Sequence, residues 1–259
     1  MKSNIYNAET ESLSDLFDWN GYRVFIFSQK NLDKSTNNED IAFFDSSNNG
    51  AVFGVCDGVG GYPMGKDAAE LASKTIIEHF HSSGDTIGFL SALENASNKM
   101  RDFKVGARTT AAFALIMNEK IKFYSIGDTE IFYTNTRGRV IYYSIPQSPV
   151  GYAVEAGLMD GEESLDAPDR NIVSHLLGDE SLRFESSSSI DVKKGQTIFI
   201  GSDGVFDNLT KEEVITIAAG GSFDESAKKL EALFIDIKAK ESWKKNDDIS
   251  FVMMRKIRS

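Results

Sequence analysis

The chain has 259 residues, 41% of them hydrophobic and 26% charged, the balance of a folded globular protein with enough apolar side chain for a sizeable core, so disorder at large is excluded. Its formal net charge of −11 argues against sequence-independent nucleic-acid binding, which needs clustered Lys and Arg to displace counterions from phosphates. One cysteine, Cys56, cannot close an intrachain disulfide, no run is long enough for a membrane-spanning helix, and MKSNIYNAETESLSDLF lacks the apolar core of a signal peptide; a reducing, cytoplasmic setting away from membranes is expected.

Residues 1–20 are expected to be a loosely ordered lead-in. Arg23 to Ser28 reads as a strand, the polar loop NLDKSTNNED leads to a short apolar IAFF, and Gly50 to Val55 reads as another strand that ends in VCDGVGG. In MGKDAAELASKTIIEHFHSS, Ala68, Leu71, Ala72, Thr75, Ile76 and Phe80 recur at helical spacing, and a second helix runs through Phe89, Leu93, Ala96 and Met100. The segment TTAAFALIMNEKIKFYSIGDTEIFYTNTRGRVIYYSI then alternates and is punctuated by Asn-Glu-Lys, Gly-Asp and Asn-Thr-Arg-Gly, the pattern of an antiparallel meander with Gly127-Asp128 at a hairpin turn. Patterning weakens over residues 146–190, which read as a flap or loop. The strand TIFIGS, helices from about Lys211 and from about Glu225 to Lys240, and the strand ISFVMM complete the chain. Strands and helices come in blocks that can cover one another, so a single layered α+β domain over residues 1–259 is the economical assignment.

Acids recur where apolar runs begin or end. Glu39 and Asp40 precede IAFF, Asp57 ends a strand, Asp128 follows Gly127, Asp203 follows TIFIGS, and Asp247 and Asp248 precede the last strand. Any one of them suits a turn. Together they suit Mg²⁺ or Mn²⁺, hard cations that take oxygen ligands and need several converging carboxylates to offset dehydration, although spacing leaves their convergence open. Cys56 lies inside an apolar run and reads as a small buried hydrophobe rather than a nucleophile, and His79, His81 and His175 lack zinc-site spacing.

The ordered set NED, VCDGVGG, RTTAAFALI, YSIGDTEIFY, FIGSDGVFDN and NDDISFVMM resembles the metal-dependent type-2C family of protein serine/threonine phosphatases over roughly residues 20–256, most closely its compact bacterial branch, where SPVGYAVEAGLMD lies at the flap. The resemblance implies two antiparallel β-sheets packed as a sandwich with helices on both sides. It implies hydrolysis of phosphoserine and phosphothreonine by a metal-bridging hydroxide, with two Mg²⁺ or Mn²⁺ ions. Asp57 would bridge the ions, Glu39 and the carbonyl of Gly58 would complete one, and Asp203 and Asp247 would serve the other. Asp128 would hold a third ion with Asp203, and Asp40 would stand behind the ligands near the metal-bound waters. Expected partners are a phosphorylated protein substrate and a cognate serine/threonine kinase.

Three positions depart from the family pattern. Where an arginine commonly clamps the substrate phosphate, this chain has Ser35 with Lys34 beside it, so these two are the candidate phosphate binders, with Arg23 or Arg108 as other cations that could reach in. Val59 stands where many eukaryotic members have a histidine, and Asp248, where asparagine is usual, adds negative charge beside the cluster and either tightens metal binding or faces solvent, the second being the expectation. A catalytically weak binding or regulatory protein that keeps the fold, and a metal phosphoesterase acting on small molecules, stay open as alternatives.

Overall fold

The computed structural model describes residues 5–31, 37–59, 64–82, 85–103, 106–239 and 245–258. Among the described residues, thirteen strands form two sheets, and every pairing is antiparallel. One sheet runs β1 (Ile5–Tyr6), β4 (Asp40–Ser47), β5 (Gly50–Asp57), β6 (Ala111–Met117), β7 (Lys120–Ile126) and β10 (Glu185–Ser186), with β11 (Ile190–Asp191) also on β7. The other runs β2 (Ser12–Trp19), β3 (Tyr22–Gln29), β13 (Ile249–Lys256), β12 (Thr197–Gly201), β8 (Glu130–Thr134) and β9 (Val140–Tyr143).

Several strands read as continuous apolar runs because both of their faces are buried. Successive side chains point to opposite faces, so in β5 Ala51, Phe53 and Val55 enter the core between the sheets while Val52 and Cys56 meet helices α1 (Gly65–Ser82) and α2 (Thr86–Asp102). In β3 and β13, Val24, Ile26, Val252 and Met254 face the other sheet. Phe25, Phe27, Phe251 and Met253 pack against the layer of α5 (Asp203–Phe206), α6 (Lys211–Ala219) and α7 (Phe223–Ala239). The result is the expected order of helix, sheet, sheet, helix. The buried face of α2 is the one its spacing predicts: Phe89, Leu93, Ala96 and Met100.

Three features differ from the sequence reading. Within residues 1–20, Ile5–Tyr6 and Ser12–Trp19 are strands rather than a loose lead-in. β2 is a half-exposed edge strand and so lacks apolar signal, but Asn20 (φ 42°) and Gly21 (φ 83°) supply the left-handed pair of a tight hairpin and fold it onto β3. The alternating stretch is not one meander either. β6 and β7 pair in one sheet whereas β8 and β9 belong to the other, so Gly127-Asp128 is a crossing between sheets and not a hairpin turn. Finally, the weakly patterned flap holds two short helices, α3 (Pro149–Glu155), capped by Ser148, and α4 (Gly161–Leu165), where Asp160 and Glu163 form a capping box.

Candidate metal centre and its flap

The two sheets deliver their acids to one end of the sandwich. Asp57 ends β5 directly opposite Asp40, the first residue of β4. Its N–H donates to Thr110 Oγ1 at 3.0 Å, and its carbonyl accepts Thr110 N–H and Thr109 Oγ1–H, both at 2.8 Å. The Thr110 and Thr129 hydroxyls share a hydrogen bond of 2.6 Å, which joins this corner to the far side of the crossing that carries Asp128. Gly127, at φ 96°, makes the bend; a side chain there would press on Thr110. From the second sheet, Asp203 follows β12 at the start of α5 and Asp247 lies just before β13.

Asp57, Gly58, Asp128, Asp203 and Asp247 line one pocket of about 310 Å³, with Asn171 and Val173 of the flap on its wall. Glu39 stands beside it, its carboxylate against Gly65, while Asp40 lies behind, 2% exposed. A Cβ on Gly58 would overlap the backbone of Gly65, and one on Gly204 would overlap the carbonyl of Asp248, so both Asp-Gly pairs are needed for close backbone approach rather than for hairpin turns. Lys34 and Ser35 lie outside the described residues. Arg23 is paired with Asp18 and Asp224, and Arg108 with Asp179.

Asp248 does not face solvent. It is 2% exposed, and its two oxygens accept the N–H groups of Asn31 at 2.7 Å and Glu39 at 3.0 Å, so one carboxylate ties the segment leaving β3 to the one entering β4. Asp207, which the sequence reading passed over, is equally buried and joins the flap to the pocket. Its Oδ1 accepts from Arg170 Nε, and Arg170 also donates to the carbonyls of Phe206 at 2.6 Å and Ser164 at 3.2 Å. The base of the flap is stapled by buried Gln147: its N–H donates to the Gly127 carbonyl at 2.9 Å, and its Oε1 accepts Gly127 N–H at 3.1 Å. Beneath the flap, a cavity of about 100 Å³ is lined by Asp128, Asp203 and Asp207 on one side and Val150, Val154 and Leu165 on the other.

Burial raises the pKa values of Asp57, Asp40 and Asp128, and repulsion from neighbouring carboxylates adds to it. Asp57 is held well above the usual carboxylate range by desolvation and then by Asp40, Asp203, Asp247 and Asp128. Asp40 is raised by desolvation and Asp248, partly offset by a hydrogen bond from Ser202. Asp128 is pushed up to about 8 by desolvation and Asp203. Such a set is electrostatically incomplete without cations. Its oxygen-only chemistry, the buried Asp40 Oδ2 that makes no hydrogen bond with any of the described residues and the two glycine approaches all fit Mg²⁺ or Mn²⁺. Among the described residues, however, no three acidic, histidine or cysteine groups already stand in coordinating geometry. The ammonium of Lys245 is placed among three of the carboxylates. Burial alone would lower its pKa, but Asp203 and Asp207 outweigh that and raise it. Cys56 is fully buried, which pushes its thiol up and removes it as a nucleophile. No helix among the described residues is long and apolar enough to cross a membrane.

The profile of the family described as "Protein phosphatase 2C" matches residues 29–236. A "Putative protein phosphatase 2C-type" of Streptococcus pyogenes is 27% identical over 71% of this chain and 79% of its own length. The "Probable protein phosphatase 2C 1" of Oryza sativa is 30% identical over 76% of this chain, which spans only 55% of that protein. Among solved structures, Stp1 of Staphylococcus aureus, a serine/threonine phosphatase, superposes with a TM-score of 0.75 over 91% of this chain and 95% of its own at 18% identity. PstP/Ppp of Mycobacterium tuberculosis does so with a TM-score of 0.70 over 92% and 99% at 19% identity. At such identities the superpositions speak for the fold, and it is the profile match across most of the sequence that assigns the family. The chain belongs to the protein phosphatase 2C family.

Proposed function

We propose that this protein phosphatase hydrolyses phosphoserine and phosphothreonine esters at the pocket where Asp57, Asp203 and Asp247 meet. In this reading Mg²⁺ or Mn²⁺ is held by Glu39, Asp57, the Gly58 carbonyl, Asp203 and Asp247, with a further ion at Asp128 and Asp203. The observation that carries the reading is the gathering of acids from both sheets at one end of the sandwich, where burial and repulsion push the Asp40, Asp57 and Asp128 carboxyls above the ordinary range. Two divalent ions, when bound, neutralise the phosphate and activate a water for in-line attack. The chain's own contribution is placement. Asp57 is fixed at a strand end by Thr109 and Thr110, and Glu39 is positioned through its N–H by Asp248. Asp40 supplies a buried carboxyl behind Asp57, able to hold a proton, and Asp207 and Gln147 keep the flap at the pocket's edge. No protein nucleophile is required. Substrate phosphate is assigned to Lys34 and Ser35, with metal-ion charge compensating for the absent arginine. The substrate is a phosphorylated protein, opposed by a serine/threonine kinase in a cytoplasmic setting.

The test is Mn²⁺-dependent hydrolysis of p-nitrophenyl phosphate beside a phosphothreonine peptide, after chelation and reconstitution. Turnover of both only with Mg²⁺ or Mn²⁺ is expected. Full activity in a metal-free preparation would refute the metal reading. Turnover of p-nitrophenyl phosphate alone would favour a small-molecule esterase, and peptide binding without turnover a regulatory protein.

A further inference from the structure

Lys245 reaches into the pocket from the segment that precedes β13, two residues before Asp247. Its Nζ lies 3.0 Å from Asp203 Oδ2, 2.5 Å from Asp207 Oδ2 and 3.6 Å from Asp247 Oδ2. Asp203 and Asp247 are the two acids assigned above to the second divalent ion, so the ammonium stands against the oxygens that the ion would need. A lone pair that accepts the ammonium's hydrogen cannot also bind an inner-sphere divalent ion, which takes carboxylate oxygens at about 2.0–2.1 Å, and like charges at such range repel strongly in a partly desolvated pocket. Resting on the metal-centre reading, we infer that Lys245 is an internal competitor for the divalent cation, holding Asp203 and Asp247 until the ion displaces it and thereby setting the metal concentration at which the phosphatase is loaded.

The surroundings suit displacement. The lysine is a point charge on a flexible four-carbon stem, and its side chain is 28% exposed, so a path to solvent exists. Asp207, by contrast, is 2% exposed and grips a second cation, Arg170, through its other oxygen. When the ammonium leaves, the most buried acid of the three therefore keeps its charge partner, while Asp203 and Asp247, both partly exposed to the pocket, become available to the ion. The same contact explains how so acidic a pocket can fold before it is loaded: the ammonium offsets repulsion that the three carboxylates would otherwise exert on one another.

The experiment is calorimetric titration of Mn²⁺ into the chelator-treated full chain, comparing wild type with Lys245→Met, which keeps the stem and removes the charge. Lys120→Met, an exposed lysine on β7, controls for net charge. The expected result is tightening of Mn²⁺ binding by about tenfold or more in Lys245→Met, the scale of losing one direct competitor of moderate strength, with Lys120→Met unchanged. The metal-free melting temperature of Lys245→Met should fall while its Mn²⁺-saturated value matches or exceeds wild type, a crossing that a purely structural lysine would not produce. Should the metal-free variant fail to fold, Lys245→Arg, which keeps the charge, carries the test and should bind Mn²⁺ no tighter than wild type. Equal Mn²⁺ affinity in wild type and Lys245→Met would overturn the proposal while leaving the metal centre in place, as would tighter Mn²⁺ binding in Lys245→Arg. No Mn²⁺ binding by any of the proteins would overturn both.

Discussion

Replacing Asp248 by asparagine isolates one buried contact whose partners lie more than two hundred residues away. The carboxylate accepts two backbone N–H groups, from Asn31 and Glu39; an asparagine side chain offers a single acceptor oxygen and turns an NH₂ group toward the other donor. One N–H is then buried without an acceptor, which costs about 1–3 kcal/mol. Removing a negative charge also relieves repulsion with Asp40, so the comparison belongs at saturating Mn²⁺, where the acids are already compensated. At about 2–4 °C per kcal/mol for a domain of this size, the melting temperature should drop by about 2–12 °C. Asp248→Ala, which orphans both donors, should drop it by about twice as much. Calorimetry or circular dichroism melts of the metal-loaded proteins measure the shift. If Asp248→Asn melts at or above wild type under those conditions, the carboxylate is not the tie described here.

Asp57→Asn and Asp203→Asn should each lower kcat by at least about a hundredfold on p-nitrophenyl phosphate at saturating Mn²⁺, because a misplaced ion loses both water activation and charge stabilisation; steady-state assays check it. Asp128→Ala should be mild at high metal and severe at low metal, seen as a rightward shift of the Mn²⁺ activation curve. The carboxyl of Asp128, raised to about 8 from an ordinary value of 3.8, together with those of Asp57 and Asp40, makes the folded metal-free chain bind more protons than the unfolded one. The stability these acids contribute is therefore fully present below the ordinary carboxylate range and is lost as pH rises through about 8, so the gap between Mn²⁺-loaded and metal-free melting temperatures should widen from pH 5 to pH 8. Arg170→Met should loosen the flap and raise KM for a phosphothreonine peptide several-fold while largely sparing p-nitrophenyl phosphate; equal losses on both would make Arg170 a general structural element.

Strands such as FGVCD and TIFIG were legible because they are apolar on both faces, and α1 and α2 because their buried positions recur at helical spacing. The resemblance placed Asp57, Asp203 and Asp247 at one site, and the fold brings them to one pocket. What escaped the reading were long-range facts. Gly-Asp between alternating runs is the usual mark of a hairpin, and nothing local in IGDTEI says that β8 will pair with β12 in the other sheet. An aspartate before a strand reads as solvated, yet the N–H groups that bury Asp248 come from Asn31 and Glu39. Lys245 sits in the polar run KKNDD and looks like surface charge, while two of its carboxylate partners lie about forty residues upstream. Asp207 offered a weak clue, standing one helical turn after Asp203 with its side chain free to return to the same pocket. The flap's caps at Ser148 and Asp160 were readable in principle, but segments of seven and five residues carry too little periodicity to be noticed.

Because Gly127 and Asp128 carry the chain from one sheet to the other, the acids are mounted on two separate plates, Asp40 and Asp57 on one, Asp203 and Asp247 on the other. The filling between the plates, including Phe53, Tyr133, Ile198 and Met254, therefore works as a spacer that sets how far apart the jaws stand. Mg²⁺ demands nearly ideal octahedral distances whereas larger ions tolerate slack, so, with the ions held as proposed, a methylene gained or lost deep in the sandwich, far from any carboxylate, would change which ion fits. Drift in this layer is thus constrained by a gauge as well as by stability, and a fold that melts normally can still hold its jaws at the wrong gap.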